Sequence, residues 1–253
     1  MMASVPRFRS LLLVEEKLLE AEYFMRRLAR KRSYEHGFEL NAFLSAARSV
    51  TFLIQKEMSK VPGFAEWWEE RRTEMRKDEA MRFFLDLRNY SQKEGRVSIL
   101  GQGSTTRRSS HWFASGQIIV PECLREVEVA DACRMHLARL ARLTLQLADA
   151  FPAWSCPHRA LTPDGIRTLA LDLDDLDVAL GYEHGFSNID GFSLEDRLGI
   201  LRRHFDDVDF DEILRLSKLR PRRLRARDEP DGFFRAFHAN LRARMHPPRD
   251  DDA

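Results

Sequence analysis

The stretch RFFLDLRNYSQKEG, residues 82–95, decides how the rest of the chain is read. Met81, Phe84, Leu85 and Leu87 supply an apolar side, Asp78 stands where a cap belongs, and Gly95 stands where a helix stops. The spacing predicts a helix from just after Asp78 to just before Gly95. That helix ends in a dense polar group: Arg88, Asn89, Lys93 and Glu94. Asn89 and Lys93 are four residues apart and share a face, with Arg88 beside it. Cations at a helix C-terminus complement its dipole, which is the plain structural account of the group. An anion-binding site or an interface is the functional one.

Toward the N-terminus, FAEWWEERRTEMRKD predicts a helix over 64–78, with one of Trp67 and Trp68 packed inward. FELNAFLSAARSVTFLIQKEMSK predicts another over 38–60, with a buried stripe of Leu40, Phe43, Leu44, Ala47, Val50, Thr51 and Ile54. A first helix is predicted over 8–32, on Leu11, Val14, Leu18, Ala21, Met25 and Leu28. SYEHG separates these two helices, and His36 in that break is expected to be solvated.

Toward the C-terminus the text changes. Residues 96–120 are rich in Gly, Ser and Thr. They predict a loop or small hairpin, with VSIL and GQIIV as strands and GQGSTTRRSS as the link. A helix of roughly 123–151 follows, on Val127, Ala130, Cys133, Leu137, Leu140, Ala141 and Leu147, with Thr144 on the same stripe. FPAWSCPHRALTPDG is a Pro-rich link. Short helices are then expected in 162–182, 193–205 and 209–219, the second capped by Ser193 with Asp196, and a last one in 233–245. The fold class is therefore all-α: a helical bundle over 8–151 with the 96–120 insertion, a C-terminal helical extension over 160–245, and a disordered tail, 246–253.

The composition fits a soluble globular chain, 43% apolar and 32% charged, with a net charge of only +1. No global basic field draws it to nucleic acid, so any such attraction is local. The apolar run LLLV, residues 11–14, is too short for a membrane span or a signal-peptide core, and a cytoplasmic location is expected. Three cysteines, Cys123, Cys133 and Cys156, have no paired spacing and are expected to be reduced.

Residues 38–95 also carry a resemblance. FELNAFLSAARSVTFLIQKEM, FAEWWEERR and RFFLDLRNYSQKEG resemble the HEPN superfamily (higher eukaryotes and prokaryotes nucleotide-binding), within it a set of uncharacterised bacterial proteins. EVADACRMHLARLARL and LTPDGIRTLALDLDDLDVALGYEHGF resemble the C-terminal part of the same group. The resemblance implies an antiparallel helical bundle that pairs as a homodimer. In many members it implies a metal-independent ribonuclease marked by Arg, a polar residue (often Asn), three arbitrary residues and His. Arg88 and Asn89 match, but Lys93 stands where the histidine would be. RNA cleavage through the 2′-hydroxyl moves a proton near neutral pH, which histidine does and lysine, titrating at about 10, does not unless strongly depressed. Lysine and arginine still hold phosphate. Glu39, Asn41, Asp86 and Glu94 are the candidate neighbours of this group.

Outside the motif, RRSSHWF places Arg107, Arg108 and His111 beside two aromatics, a combination suited to single-stranded nucleic acid or to a loop folded back by Trp112. Cys156 and His158 are two ligands without a second pair, so no metal is expected. DLDDLD, 172–177, lacks the glycine and closing glutamate of a calcium loop and reads as a helix start with a solvated acidic face. The basic run 215–227 suits either phosphates or the acids of 206–212. No phosphate-loop, zinc-protease or nucleophile-elbow motif is present, and no cofactor is expected.

The reading that follows is a non-catalytic HEPN-like binding protein. It would act as a dimeric scaffold or a nucleotide or RNA sensor, in the toxin–antitoxin or phage-defence settings that the resemblance brings with it. The alternatives are a metal-independent ribonuclease with an altered centre and a purely structural partner protein.

Overall fold

The structure, a computed structural model, describes residues 10–29, 35–102, 110–114, 116 and 118–221. Among these residues it is mainly helical, with twelve helices and one two-stranded sheet. The first four helices are α1 (Leu12–Leu28), α2 (Glu35–Met58), α3 (Phe64–Lys77) and α4 (Glu79–Lys93). The strands β1 (Ile99–Gln102) and β2 (Ser110–Phe113) follow, then α5 (Glu122–Arg125) and α6 (Val129–Ala150). Six short helices complete the described chain: α7 (Pro152–Ser155), α8 (Pro157–Ala160), α9 (Pro163–Leu169), α10 (Leu173–Leu180), α11 (Leu194–Arg202) and α12 (Phe210–Ser217). No helix among the described residues is long and apolar enough to cross a membrane.

The helical period translates directly into burial. Every residue of the stripes predicted for α1 and α2 is buried, including Thr51. Asp78 caps α4 by accepting from the backbone N–H groups of Ala80 and Met81 at 2.9 and 3.0 Å. Ser193 and Asp196 close a reciprocal capping box on α11. Asp172 starts α10 by accepting from Asp175 N at 2.7 Å, as the DLDDLD pattern implied. Trp68 is the inward tryptophan and Trp67 is half-buried.

Several expectations are corrected. In α4 the buried side is Ala80, Phe83, Phe84 and Leu87, while Leu85 faces water, because the stripe is set by Phe83 rather than Leu85. His36 is not in a solvated break but in the first turn of α2, 3% exposed. The second strand is SHWF, not GQIIV, and pairs antiparallel in the register Ile99↔Phe113 and Gly101↔His111. The expected helix of 123–151 is two, α5 and α6, with Val127 in the break between them. The Pro-rich link holds α7 and α8, each with proline in its first turn, where the missing N–H is no loss. The last helix at 233–245 and the tail at 246–253 lie outside the described residues.

Two compact units are each assembled from segments far apart in the chain. Among the described residues, one unit comprises those of 19–48, 72–139 and 218–221. Its core holds an aromatic cluster: Phe43 and Phe84 meet edge-on at 6.2 Å, Phe83 and Phe113 at 5.0 Å, and His136 lies flat on Phe84 at 4.2 Å. The other comprises residues 10–18, 49–71 and 140–217. Phe64, Trp67, Trp68 and Phe151 form one of its clusters, and Leu161, Ile166, Leu176, Leu198 and Leu201 another. Its distant segments are tied by polar bonds, Leu11 N to Ser155 O at 2.9 Å and Asp209 N to Glu15 Oε2 at 3.0 Å.

Candidate functional site

The last two turns of α4 position the motif. Phe83, Phe84 and Leu87 are buried, which leaves Arg88 and Asn89 at the edge of that face, half-buried. Arg88 Nη1 donates to Asn89 Oδ1 at 3.3 Å, and Ser91 Oγ donates to the Arg88 carbonyl at 2.9 Å. The Nε of Arg88 is buried and has no hydrogen-bond partner among the described residues. A buried, unmet donor on a cation is unfavourable unless an acceptor arrives. Lys93 is exposed, as are Asp86 and Glu94.

α2 contributes a second cation that the sequence reading passed over. Arg48 is half-buried, and its pKa is lowered first by burial and then by the charge of Arg88. Two half-buried like charges, one on α2 and one on α4, thus influence each other. The signal for Arg48 was its spacing, four residues after Leu44 and three before Thr51, on the buried stripe of α2. Glu39, a candidate neighbour of the motif, is engaged elsewhere: its Oε1 accepts from Arg27 Nε of α1 at 2.7 Å.

Among the described residues of this unit, His36 and His136 are buried and His111 is half-buried. His36 stacks on His111, and burial, helped by the charge of His111, pushes the His36 pKa down to about 3. Burial also lowers the His111 pKa. His136, flat on Phe84, is pushed down to about 3 by burial and then by the charge of Arg139. The Nδ1 atoms of His36 and His136 have no hydrogen-bond partner among the described residues. His111 therefore faces the fold, and Trp112 beside it is buried. Arg107 and Arg108 lie outside the described residues, as do residues 222–227 of the basic run.

Two further features carry polar side chains. A groove of about 480 Å³ runs between α4 and the segment entering α5, with Glu79, Arg82, Asp86, Glu122 and Arg125 around Phe83 and Val120. In the other unit, the Cys156 thiol donates to Asp207 Oδ1 at 2.6 Å, and His158 Nδ1 lies 3.3 Å from Asp207 Oδ2. Burial, then the bond to Asp207, raises the Cys156 pKa, so the sulfur stays a protonated thiol and clamps α8 to the segment before α12. Among the described residues no group of three or more His, Cys, Asp or Glu is placed to hold a metal ion.

These features define a mainly helical protein with a half-buried cationic cluster at one helix end. Residues 25–145 match the sequence model of the family described as bacteriophage lambda protein ea47. Arg48, Arg88, Asn89, Lys93, the histidines 36, 111 and 136 and the groove all lie inside that match, and the Cys156 clamp lies outside it. No curated protein and no solved structure matches the chain.

Proposed function

We propose that this protein is a non-catalytic, HEPN-like anion-binding protein in which Arg48, Arg88 and Asn89 take a phosphate of RNA or of a nucleotide. It is homodimeric through the helices that carry the cluster. The observation that carries the reading is Arg88 itself: its Nε is buried without a hydrogen-bond partner among the described residues, and its charge acts on a second cation, Arg48, whose pKa is lowered first by burial and then by Arg88. A phosphate would meet the unmet donor and relieve the repulsion in one step, and arginine's planar fork suits that geometry. Lys93 adds an exposed positive charge at the rim.

The altered-ribonuclease reading needs a proton-transfer group beside Arg88. Lys93 is exposed rather than desolvated, and burial holds the pKa values of His36, His111 and His136 below the neutral range.

The test is RNA binding and cleavage in metal-free buffer, with wild type beside Arg48→Ala, Arg88→Ala and Lys93→Ala, each checked for folding by circular dichroism. Labelled single-stranded RNA is expected to bind without being cut. Each arginine substitution is expected to weaken binding by about tenfold, and Lys93→Ala by less. Cleavage by wild type that disappears in both Arg88→Ala and Lys93→Ala would overturn the reading in favour of a ribonuclease.

A further inference from the structure

Residues 172–196 carry eight carboxylates and no lysine or arginine, in a chain whose net charge is +1. The loop in this stretch, between α10 and α11, turns its polar groups inward. Asp177, fully buried, accepts from the backbone N–H and the hydroxyl of Ser187 at 2.8 and 2.9 Å. The fork of Arg197 donates to the carbonyls of Phe192 and Ile189 and to Asn188 Oδ1, at 3.1, 2.8 and 2.9 Å. Tyr182 stacks on Phe186 with ring centroids 4.2 Å apart. Gly185 and Gly191 turn the chain at φ of +82° and +81°, conformations that L side chains rarely adopt.

With its backbone held in this way, the loop presents apolar side chains to water. Phe186 is 54% exposed, Phe192 46%, Leu194 44% and Ile189 43%. Around them Glu183, Asp190, Glu195 and Asp196 are exposed. Ordinary surface loops do the reverse. An ordered apolar patch with a polar rim marks a docking surface. Arg197 spends its guanidinium on acceptors of the loop itself, and the acidic sign of the exposed rim chooses the partner. It repels nucleic acid, anionic lipid and acidic peptides, and complements a segment that brings cations together with apolar anchors.

We propose that the α10–α11 loop with the first turn of α11, residues 182–196, docks a cationic amphipathic segment of a partner protein. Phe186, Ile189, Phe192 and Leu194 receive the apolar face, and the surrounding carboxylates receive the cations. This surface lies outside residues 25–145 and does not depend on the arginine cluster of α2 and α4.

The probe is a fluorescent synthetic amphipathic helix of lysine and leucine, titrated with the full-length chain and followed by anisotropy. A second peptide with glutamate in place of every lysine serves as the control. Wild type is expected to bind the lysine peptide and not the glutamate one. The double variant Phe186→Ser, Phe192→Ser, checked for folding by circular dichroism because Phe186 also stacks on Tyr182, is expected to lose at least about tenfold in affinity. Asp190→Asn with Glu195→Gln is expected to weaken binding and to flatten its salt dependence. Equal binding by wild type and the serine variant, or binding of the glutamate peptide, overturns the proposal. So does sedimentation showing a wild-type dimer that the serine variant splits, since the occupant is then a second copy.

Discussion

The imidazole of His36, in the first turn of α2, stacks on that of His111 in β2, with ring centroids 3.8 Å apart and planes 27° apart. Gly101, the partner of His111 across the ladder, leaves room for it: a Cβ there would stand 3.3 Å from His111 Cδ2. The stack holds the hairpin against the helix only while both rings are neutral. Burial lowers both pKa values, that of His36 to about 3. Between about pH 6.5 and 3 the unfolded chain binds protons that the folded one refuses, so stability is present above that window and falls as the pH drops through it. One such histidine contributes a slope approaching about 1.4 kcal/mol per pH unit. Urea unfolding from about pH 7 to about pH 4 is expected to show a shallower decline in His36→Gln than in wild type. His136→Leu is expected to flatten it as well, because that ring is also held neutral by burial.

The Asp78 side chain has two duties: it caps α4, and its Oδ2 lies 3.0 Å from Arg139 Nε of α6. Both side chains of the ion pair are about a third exposed, so the pair contributes little and the cap dominates. Asp78→Ala is expected to cost about 1–2 kcal/mol. Asp78→Asn keeps an oxygen for the cap and is expected to recover most of that. Urea midpoints of the two variants measure the difference; equal losses would assign the effect to the charge.

Gly165 and Gly199 are both helical glycines, yet alanine has opposite expected effects at them. A Cβ at Gly165 would lie 2.3 Å from the Ala160 carbonyl oxygen and 2.5 Å from that of Arg159, both backbone atoms that cannot step aside. Gly165→Ala is expected to destabilise by about 1–3 kcal/mol or more. At Gly199 the nearest atom is the tip of Arg202, 3.9 Å away, and Gly199→Ala is expected to stabilise by up to about 1 kcal/mol. Thermal melts of the pair check both signs.

Only Cys123 of the three thiols is exposed. Its pKa is raised, by partial burial and then by Glu79 and Asp78, so modification by iodoacetamide is expected to be slow at neutral pH. Cys133 and Cys156 are buried and their pKa values are also raised. Mass spectrometry is expected to find a single modified site in the native protein and all three cysteines modified in urea.

The local features were legible because they are decided within a few residues. The stripes of α1 and α2 repeat at three and four, and a single helix face must be buried whatever it packs against. The caps at Asp78, Asp172 and Ser193 are bonds to the next turn of the same chain. The tryptophan pair had to divide between inside and edge, since adjacent helical residues point about 100° apart.

Pairing across sequence distance was not legible. Both SHWF and GQIIV have strand-like composition, and only the register with Ile99–Gln102 chose between them. The break at Val127 interrupts an apolar pattern that runs on through it, so periodicity could not reveal it. The sequence placed Arg88, Asn89 and Lys93 on one helix end, because their spacing is local. Tertiary structure alone brought Arg48 under the charge of Arg88, left Lys93 in water, stacked His36 on His111, and joined Cys156 to Asp207 across 51 residues. A chain's own periodicity states which side of an element is buried; what that side meets depends on which distant segment closes over it.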